Sequence, residues 1–459
     1  MTNYHIESDS LGSVKIANDK LWGKNTQRSY NNFKIGHQKM PLAVIYALVL
    51  IKKCAAKVNY QQQLLSKNKA MAIIKAADEI LSGQYDDQFP LVIYQTGSGT
   101  QTNMNVNEVI AALATTFANE KIHPNDDVNL GQSSNDVFPS SMHIVAVSKI
   151  INDLLPALQV MLQTLNKQAE KYSDIIKVGR THLQDATPLT LGQEFSGYYQ
   201  MLANNYQMIE NTLPFLKELA LGATAVGTGL NTTVDFGKAM ALEIAKETKL
   251  PFIEGKNKFQ LLASKDAIVN SHASFKTLAA SLMKLANDIR WLASGPNCGL
   301  NELHIPANEL GSSIMPGKIN PTQAEALTMV ACKVFGNDVC VGMAGSQGNF
   351  ELNVYMPVMI ASYIESIDLL SDAILSFNNN CLKGITVNHQ QLQANLDKSL
   401  MLVTCLNPYI GYDLASKIAQ YAYENQVSLK EAAASLNILT NAEFDKYFDI
   451  KAMLKPKKN

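Results

Sequence analysis

Arginine is scarce in this sequence of 459 residues, and lysine carries almost all of its positive charge. Only Arg28, Arg180 and Arg290 occur among the 39 basic residues. Because arginine is the usual residue for bidentate binding of phosphate, its scarcity argues against broad phosphate recognition. The formal net charge of −1 argues in addition against a partner such as nucleic acid or an anionic membrane surface.

Clustered cysteines and long apolar runs are also missing. The six cysteines are scattered and include no C-x-x-C pair, whereas zinc and iron–sulfur sites need clustered ligands. No uninterrupted apolar run approaches the roughly 20 residues that span a bilayer. The first ten residues lack the apolar or arginine-rich stretch of a targeting segment. We therefore expect no metal–thiolate site, no membrane partner and a cytoplasmic location.

Two glycine-bearing segments resemble nucleotide-binding motifs but lack their spacing. Between Gly311 and Gly317-Lys318 there are five residues instead of the four of a P-loop, and Ile319 follows the lysine. The Gly227–Gly229 segment lacks the third glycine and the strand–helix–strand setting of a dinucleotide site. Nucleotide binding is not supported.

Apolar residues recur at alternating spacings of three and four in the middle of the chain, which predicts long helices that pack as a bundle. The clearest stripes are Phe195, Tyr199, Leu202, Tyr206, Ile209, Leu213 and Leu216, and Phe275, Leu278, Leu282, Leu285, Ile289 and Leu292. Leu154–Leu165 and Ile360–Phe377 mark two more helices. Ala324–Met343 is apolar on nearly every face, as expected of a helix surrounded by others. We expect strands only in the first 20 or so residues and in parts of 221–260.

Four polar segments, called islands below, interrupt the predicted helices, and each is expected at or just before the start of a helix. They are Gln95–Asn103, Gln132–Asn135, Gly179–Asp185 and Gly311–Pro321. Helix N-termini present unpaired N–H groups that suit carboxylates, and short hydroxyl and amide side chains add further donors. Any single island is more simply explained as ordinary helix capping. The four islands together, however, contain a lysine, a histidine and several hydroxyl groups. This combination indicates a binding site.

The segment Gly311–Pro321 resembles the signature loop of the fumarase/aspartase superfamily, GSS-x-MP-x-K-x-N. The other islands match in order, so that the resemblance covers almost the whole chain. Gly97–Asn105 and the Gly317 between Pro316 and Lys318 are most similar to class II (iron-independent) fumarate hydratases. The resemblance implies an all-α fold with a small N-terminal domain (1–132), a central bundle of five long helices (133–389) and a small C-terminal domain (390–459), assembled as a homotetramer.

The resemblance also implies an activity and roles for individual residues. The activity is reversible hydration of fumarate to malate in the tricarboxylic acid cycle, with no metal or organic cofactor. Ser312 would be the base that removes the C3 proton of malate, His182 would assist departure of the hydroxyl group, and Glu325 would pair with His182. The residues expected to bind substrate are Ser98, Gly99, Thr100, Ser133, Ser134, Asn135, Thr181, Ser313, Lys318, Ile319 and Asn320.

A second motif, His123-Pro124-Asn125-Asp126, is similar to an accessory dicarboxylate site of the family. Read without the resemblance, Pro-Asn-Asp is a turn that caps a helix. Bacterial relatives often have arginine three residues before this histidine, whereas this chain has Glu120. A carboxylate there would repel a dianion, so we expect Glu120 to weaken this site.

Two alternatives to a hydratase are open at this stage. One is a sister lyase that eliminates ammonia from aspartate, although Gly317 and the Ser98–Thr100 text are more typical of hydratases. The other is a catalytically silent helical scaffold, of the kind that the superfamily has produced as lens proteins. The presence of Ser312, His182, Lys318 and Glu325 together favours an enzyme.

Overall fold

The computed structural model describes residues 4–456, and most of its secondary structure is helical. Short segments of 3-10 helix (Asp86–Gln88, Leu382–Gly384, Leu400–Leu406, Lys451–Leu454) and of π-helix (Pro124–Val128, Ile150–Leu154) occur between or after some of the α-helices. The α-helices in chain order are α1 (Lys24–Asn32), α2 (Leu42–Gln61), α3 (Lys67–Leu81), α4 (Thr100–Ala118), α5 (Ser134–Lys149), α6 (Leu155–Lys171), α7 (Leu191–Glu210), α8 (Leu213–Leu216), α9 (Phe236–Thr248), α10 (Lys258–Ala263), α11 (Asp266–Leu292), α12 (Thr322–Gly345), α13 (Met356–Asn380), α14 (His389–Lys398), α15 (Asn407–Ile410), α16 (Tyr412–Asn425), α17 (Leu429–Ser435) and α18 (Asn441–Tyr447).

The strands between residues 4 and 456 pair only two by two. Strands β1 with β2, β3 with β4, β7 with β10 and β8 with β9 are antiparallel, and β5 with β6 is parallel. Our expectation for strands was too narrow, because β3, β4, β5 and β7–β10 lie outside the predicted segments. The β3–β4 sequence contains Gly179 and Pro188, and its alternation of apolar and polar residues is limited to Ile176–Val178 in β3. The strands are β1 (Tyr4–Asp9), β2 (Gly12–Ala17), β3 (Ile176–Thr181), β4 (Gln184–Thr190), β5 (Glu218–Leu219), β6 (Ile253–Glu254), β7 (Leu303–His304), β8 (Gly348–Asn349), β9 (Leu352–Asn353) and β10 (Thr386–Val387).

The predicted long helices are present. Helices α5 and α6 are continuous through the π turn and form one helix of 38 residues, Ser134–Lys171. Helices α7, α11, α12 and α13 account for the other four. In α11 the predicted stripe from Phe275 to Leu292 is buried, which is the pattern expected when 3-4 spacing places apolar residues on one face.

Helix α12 departs from the expectation of a helix surrounded by others. Met329, Val339 and Met343 are 67%, 70% and 63% exposed, and Cys332 is exposed as well. The chain itself leaves part of this apolar helix uncovered. Composition predicts that such a helix is buried, but it does not say whether the same chain or another copy buries it.

Two helices are long and apolar enough to cross a membrane by length and composition alone, contrary to the expectation from uninterrupted runs. They are Ser134–Lys171 and Thr322–Gly345. Within the most apolar 18 residues of each helix, 56% and 28% are buried. Scattered polar residues interrupt the apolar runs of both helices but leave their mean hydropathy high. The prediction on the first ten residues falls partly outside the described range.

The chain divides into two compact units. Of the described residues, the first unit comprises 4–156, 205–280 and 330–371, and α2 packs there against α3, α5 and α9. The second comprises 157–204, 281–329 and 372–456, and Leu406, Ile418 and Phe444 belong to its core. The three domain ranges inferred from the resemblance stay predictions.

Candidate active site

The first polar island forms a tight loop before α4, and two of its glycines have no room for a side chain. A Cβ on Gly97 would lie 1.5 Å from the carbonyl oxygen of Val354, and one on Gly99 would lie 2.2 Å from the Phe138 ring. Gly99 also has a φ of 73°, which favours glycine. The Gly97 carbonyl accepts a hydrogen bond from the backbone N–H of Met356. Packing therefore fixes the loop that ends at Thr100.

Three predicted hydroxyl groups meet where α4 and α5 begin. The Ser98 Oγ and Thr100 Oγ1 atoms are 2.8 Å apart, and Thr100 Oγ1 lies 2.7 Å from Ser134 Oγ. Thr100 and Ser134 are the first residues of their helices. The structure thus brings the first two islands together at two helix N-termini, where N–H groups are available to an anion.

The start of α5 is held by Asp136, which the sequence analysis did not single out. Ser133 and Asp136 form a capping box, and the second carboxylate oxygen of Asp136 accepts hydrogen bonds from the backbone N–H groups of Gly222 and Thr224. Burial raises the pKa of Asp136 to about 6, although these N–H donors and Lys52 oppose the shift. The predicted Asn135 donates to the carbonyl of Ala225 at 2.8 Å. The Ser-x-x-Asp spacing of residues 133–136 is the sequence pattern that could have identified Asp136.

The third island is a β-hairpin and not the start of a helix, which corrects our expectation. Thr181 pairs with Gln184 across a two-residue turn, and His182 and Leu183 have φ values of 57° and 60°. Such turns usually contain asparagine and glycine, since both central residues need positive φ. His182 and Thr181 are exposed at the tip. A strained backbone of this kind is common at functional sites.

A buried charge network holds the base of this hairpin. Glu302 is 0% exposed and accepts hydrogen bonds from Arg180 at 2.6 Å and from Asn395 at 3.0 Å. Lys177 lies 3.2 Å from Glu302 and also binds Glu194. Burial alone would raise the pKa of Glu302, but the Arg180 hydrogen bond and the charges of Lys177 and Arg180 hold it below its usual range. Glu302 and Lys177 were not among the predicted residues. Glu302 lies 122 positions from Arg180, so no local sequence pattern indicates their contact.

The fourth island, 311–321, is an exposed loop before α12 that is closed at its base. The N–H of Gly311 donates to the Lys318 carbonyl, and the Asn320 side chain donates to the Gly311 carbonyl, both at 2.8 Å. The Ser312 Oγ accepts hydrogen bonds from the backbone N–H groups of Ile314 (3.2 Å) and Met315 (3.1 Å). A hydroxyl that accepts two N–H bonds is a suitable place for negative charge.

The predicted residues of the fourth island do not meet those of the hairpin through hydrogen bonds. Within residues 4–456, neither the His182 nor the Glu325 side chain has a hydrogen-bond or ion-pair partner, and Lys318 is exposed with Ser313 and Ile319. The hairpin and the Ser312 loop are thus each fixed by their own contacts.

Comparison with known proteins assigns this arrangement to a family. The Lyase family matches residues 12–336, and the family described as Fumarase C C-terminus matches 402–455. Class II fumarate hydratases of Nitrosomonas europaea and Halalkalibacterium halodurans are each 54% identical to the chain over 99% of both lengths. The chain belongs to the class II fumarate hydratase family.

Solved structures of this fumarate hydratase family and its relatives confirm the predicted all-α bundle fold. The class II fumarase of Schistosoma mansoni superposes with a TM-score of 0.96 at 41% identity, covering 98% of each chain. A fumarate lyase:delta crystallin from Brucella melitensis, bound to cobalt, superposes with a TM-score of 0.94 at 34% identity, covering 99% of this chain and 100% of its own. In the described part of this class II family member, no three His, Cys, Asp or Glu side chains are grouped to hold a metal ion.

The accessory motif, 123–126, leads into a π turn, and carboxylate side chains lie around it. The His123 Nδ1 accepts a hydrogen bond from the backbone N–H of Asp126 and lies 3.1 Å from its carboxylate. Asp127 binds the His123 backbone N–H and the Lys69 ammonium, and Glu120 accepts a hydrogen bond from Asn68. Asn125 is exposed. Carboxylates next to His123 oppose a dianion, and the weakening effect of Glu120 stays a prediction.

Proposed function

We propose that the chain is a fumarate hydratase that adds water reversibly and in anti fashion to fumarate to give (S)-malate. Full-length relatives named class II fumarate hydratase at 52–55% identity support this activity. The observation that carries the chemistry is the double N–H contact to the Ser312 Oγ. It favours proton abstraction by a serine without a metal or organic cofactor.

In the dehydration direction, Ser312 as its alkoxide takes the C3 proton of malate. The electron pair of the C3–H bond moves into the adjacent carboxylate, which becomes an aci-carboxylate with additional negative charge. Lys318 and Asn320, on the same loop as Ser312, are suited to stabilise this charge. Removing one such donor typically costs about 10²–10³ in rate. The N–H groups of Ile314 and Met315 stabilise the alkoxide before the proton moves.

The C2–O bond then breaks, and the departing hydroxide needs a proton. His182 is the proposed source of that proton, since histidine is the usual acid near neutral pH, and the product is water and fumarate. Glu325 is proposed to orient the His182 ring. The two side chains have no partner within the described chain, and we propose that a second copy of the chain completes this pairing.

The two carboxylates of the substrate are proposed to bind to hydroxyl, amide and N–H donors. Ser98, Gly99 and Thr100 belong to the start of α4, and Ser133, Ser134 and Asn135 to the start of α5. The hydroxyls of Ser98, Thr100 and Ser134 form one hydrogen-bonded chain and can donate to an anion that replaces part of it. Thr181, Ser313, Lys318, Ile319 and Asn320 complete the proposed set.

We further propose a homotetramer whose active sites are shared between chains. The exposed apolar side chains Met329, Val339 and Met343 on α12 support a second copy as the partner of this helix. Helix Ser134–Lys171 has 38 residues, about 57 Å at 1.5 Å per residue. Asn135 stands at its beginning and His182 follows its end, so one small dicarboxylate is proposed to meet them on different chains. The assembly should have a mass of 201 kDa, four times 50.3 kDa. The location is proposed to be cytoplasmic, on the sequence prediction.

Ultraviolet absorbance of the fumarate double bond tests the activity. Purified protein is mixed with malate, fumarate or aspartate in separate reactions. A hydratase produces absorbance from malate and consumes it with fumarate, and is inert with aspartate. Production of fumarate and ammonia from aspartate would establish the sister lyase instead. No change with any of the three substrates would support the silent scaffold.

A further inference from the structure

A buried lysine lies beneath the helix N-termini of the proposed substrate site. Lys52 in α2 is 0% exposed, and its ammonium donates hydrogen bonds to the Asn129 Oδ1 at 2.7 Å and the Gln132 Oε1 at 3.1 Å. In the described part of the chain it has no ion-pair partner within 4.0 Å. A buried charge is costly unless its hydrogen bonds are well made, so this position needs a reason.

The amide of Asn129 extends the contacts of Lys52 to a second helix. Its Oδ1 also accepts hydrogen bonds from the side chains of Asn103 (3.3 Å) and Asn107 (3.2 Å), both on α4. Its Nδ2 donates to the Gln132 carbonyl at 3.0 Å. The ammonium thus holds the turn 129–132 to α2, and the Asn129 amide links the same turn to α4.

Both ends of this network lead directly to the proposed site. Asn103 follows Thr100, the first residue of α4, by three positions, which is about one helical turn. Gln132 directly precedes Ser133 and Ser134 at the start of α5. The 2.7 Å contact between Thr100 Oγ1 and Ser134 Oγ joins the same two helix starts. The position of these hydroxyls therefore depends on the contacts that converge on Lys52.

A second buried lysine in the same unit provides the comparison. Lys265 is 2% exposed, and its ammonium donates to the backbone carbonyls of Leu261, Leu262 and Ser264 at 2.6, 2.9 and 3.0 Å. These carbonyls lie within four residues of Lys265, at the end of α10. Lys265 binds only carbonyls close to it in the sequence, whereas Lys52 binds the turn that precedes α5 and that Asn129 links to α4.

We propose that Lys52 is a positioning residue for dicarboxylate binding, which aligns the starts of α4 and α5 through Asn129 and Gln132. The proposal rests on the proposed function, since it assigns Lys52 to the same site. Lys52 does not touch substrate; it acts through Thr100 and Ser134. Its loss should therefore weaken ground-state and transition-state binding alike, which raises KM and changes kcat little.

The test compares Lys52→Met with Lys265→Met in the full-length protein. Steady-state hydration of fumarate gives KM and kcat, and calorimetry gives the Kd of succinate, a dicarboxylate that cannot be hydrated. For Lys52→Met we expect KM and the succinate Kd to rise at least about tenfold while kcat falls less than about threefold. For Lys265→Met all three should stay within about twofold of wild type, even where its thermal stability falls as far as that of Lys52→Met.

A milder variant keeps the proposal testable if Lys52→Met does not fold. Asn107→Leu removes one donor to Asn129 and is expected to raise KM and the succinate Kd about threefold with kcat unchanged. Unchanged succinate affinity in the folded Lys52 variant, or an equal loss in Lys265→Met, would overturn the positioning role. Absence of turnover in the wild-type protein would instead refute the proposed function, and the succinate arm would still decide whether Lys52 supports an anion site.

Discussion

Replacing Glu302 with glutamine should loosen the hairpin that carries Thr181 and His182. The amide oxygen can still accept from Arg180, but the amide nitrogen then faces the Lys177 ammonium, which lies 3.2 Å from the present carboxylate. Two donors face each other there, and Arg180 loses its anionic partner. The side chains of Lys177 and Glu302 are only 2% and 1% exposed, so water cannot compensate.

The size of the effect follows from the burial of the network. Breaking a buried ion pair by removing one partner costs about 3–5 kcal/mol. We expect a loss near 3 kcal/mol, because Lys177 keeps its hydrogen bonds to Glu194. Since about 1.4 kcal/mol is a factor of ten, opening of the hairpin should become about 100-fold more frequent. The pKa of Glu302 lies below its usual range in the folded protein, so its contribution is complete above pH ~4.5 and is lost as the pH falls through the folded pKa.

Hydrogen exchange at pH 7 measures this opening directly. Backbone amides of β3 and β4 (Ile176–Thr181 and Gln184–Thr190) should exchange about 100-fold faster in Glu302→Gln, and kcat should fall with them. Glu194→Gln is the matched control. Its carboxylate is 23% exposed and Lys177 keeps Glu302, so exchange should accelerate less than about tenfold. Equal exchange in Glu302→Gln and wild type, or equal effects of both variants, would refute the role given to the buried network.

Three further predictions concern the base, acid stability and assembly. Ser312→Ala should lower kcat at least ~10²-fold with the assembly intact, and a variant that retains more than half of the wild-type turnover would place the base elsewhere. Burial lowers the pKa of His143 to about 4, so the folded state loses up to about 3 kcal/mol as the pH falls from ~6.5 to ~4; denaturant titrations of His143→Asn should show this loss reduced, and an unchanged pH slope would contradict it. Val339→Glu on the exposed face of α12 should lower the mass in light scattering below that of the wild type, and an unchanged mass would exclude this face from the interface.

Local pattern predicted the long helices and the position of three of the four islands at or just before helix starts, because 3-4 spacing and capping sequences are local properties of the chain. The stripe from Phe275 to Leu292 is buried as its spacing requires. The β3–β4 hairpin was missed because His182 and Leu183 adopt positive φ without glycine or asparagine. The positive φ of these two residues arises from the fold around them and not from their intrinsic preference.

Residues that support the site from a distance could not be predicted in the same way. Glu302 reaches Arg180 across 122 positions, and Lys52 reaches Asn129 across 77. Such contacts depend on how helices pack, which periodicity does not specify. Asp136 was accessible to prediction, because its capping box with Ser133 is visible in the sequence. The exposed face of α12 shows a further limit, since composition predicts burial but not by which chain.

Complementation between two inactive variants tests most directly the claim that one active site is built from different chains. Asn135→Ala and His182→Asn are unfolded together, refolded as an equal mixture and assayed for fumarate hydration. If each site takes Asn135 from one chain and His182 from another, random assembly gives one half times one half, about a quarter of sites with both wild-type residues. We predict that the mixture regains about a quarter of the wild-type activity while each variant refolded alone stays inactive. A mixture as inactive as its parents, with hybrid oligomers demonstrated by mass spectrometry, would contradict the shared site.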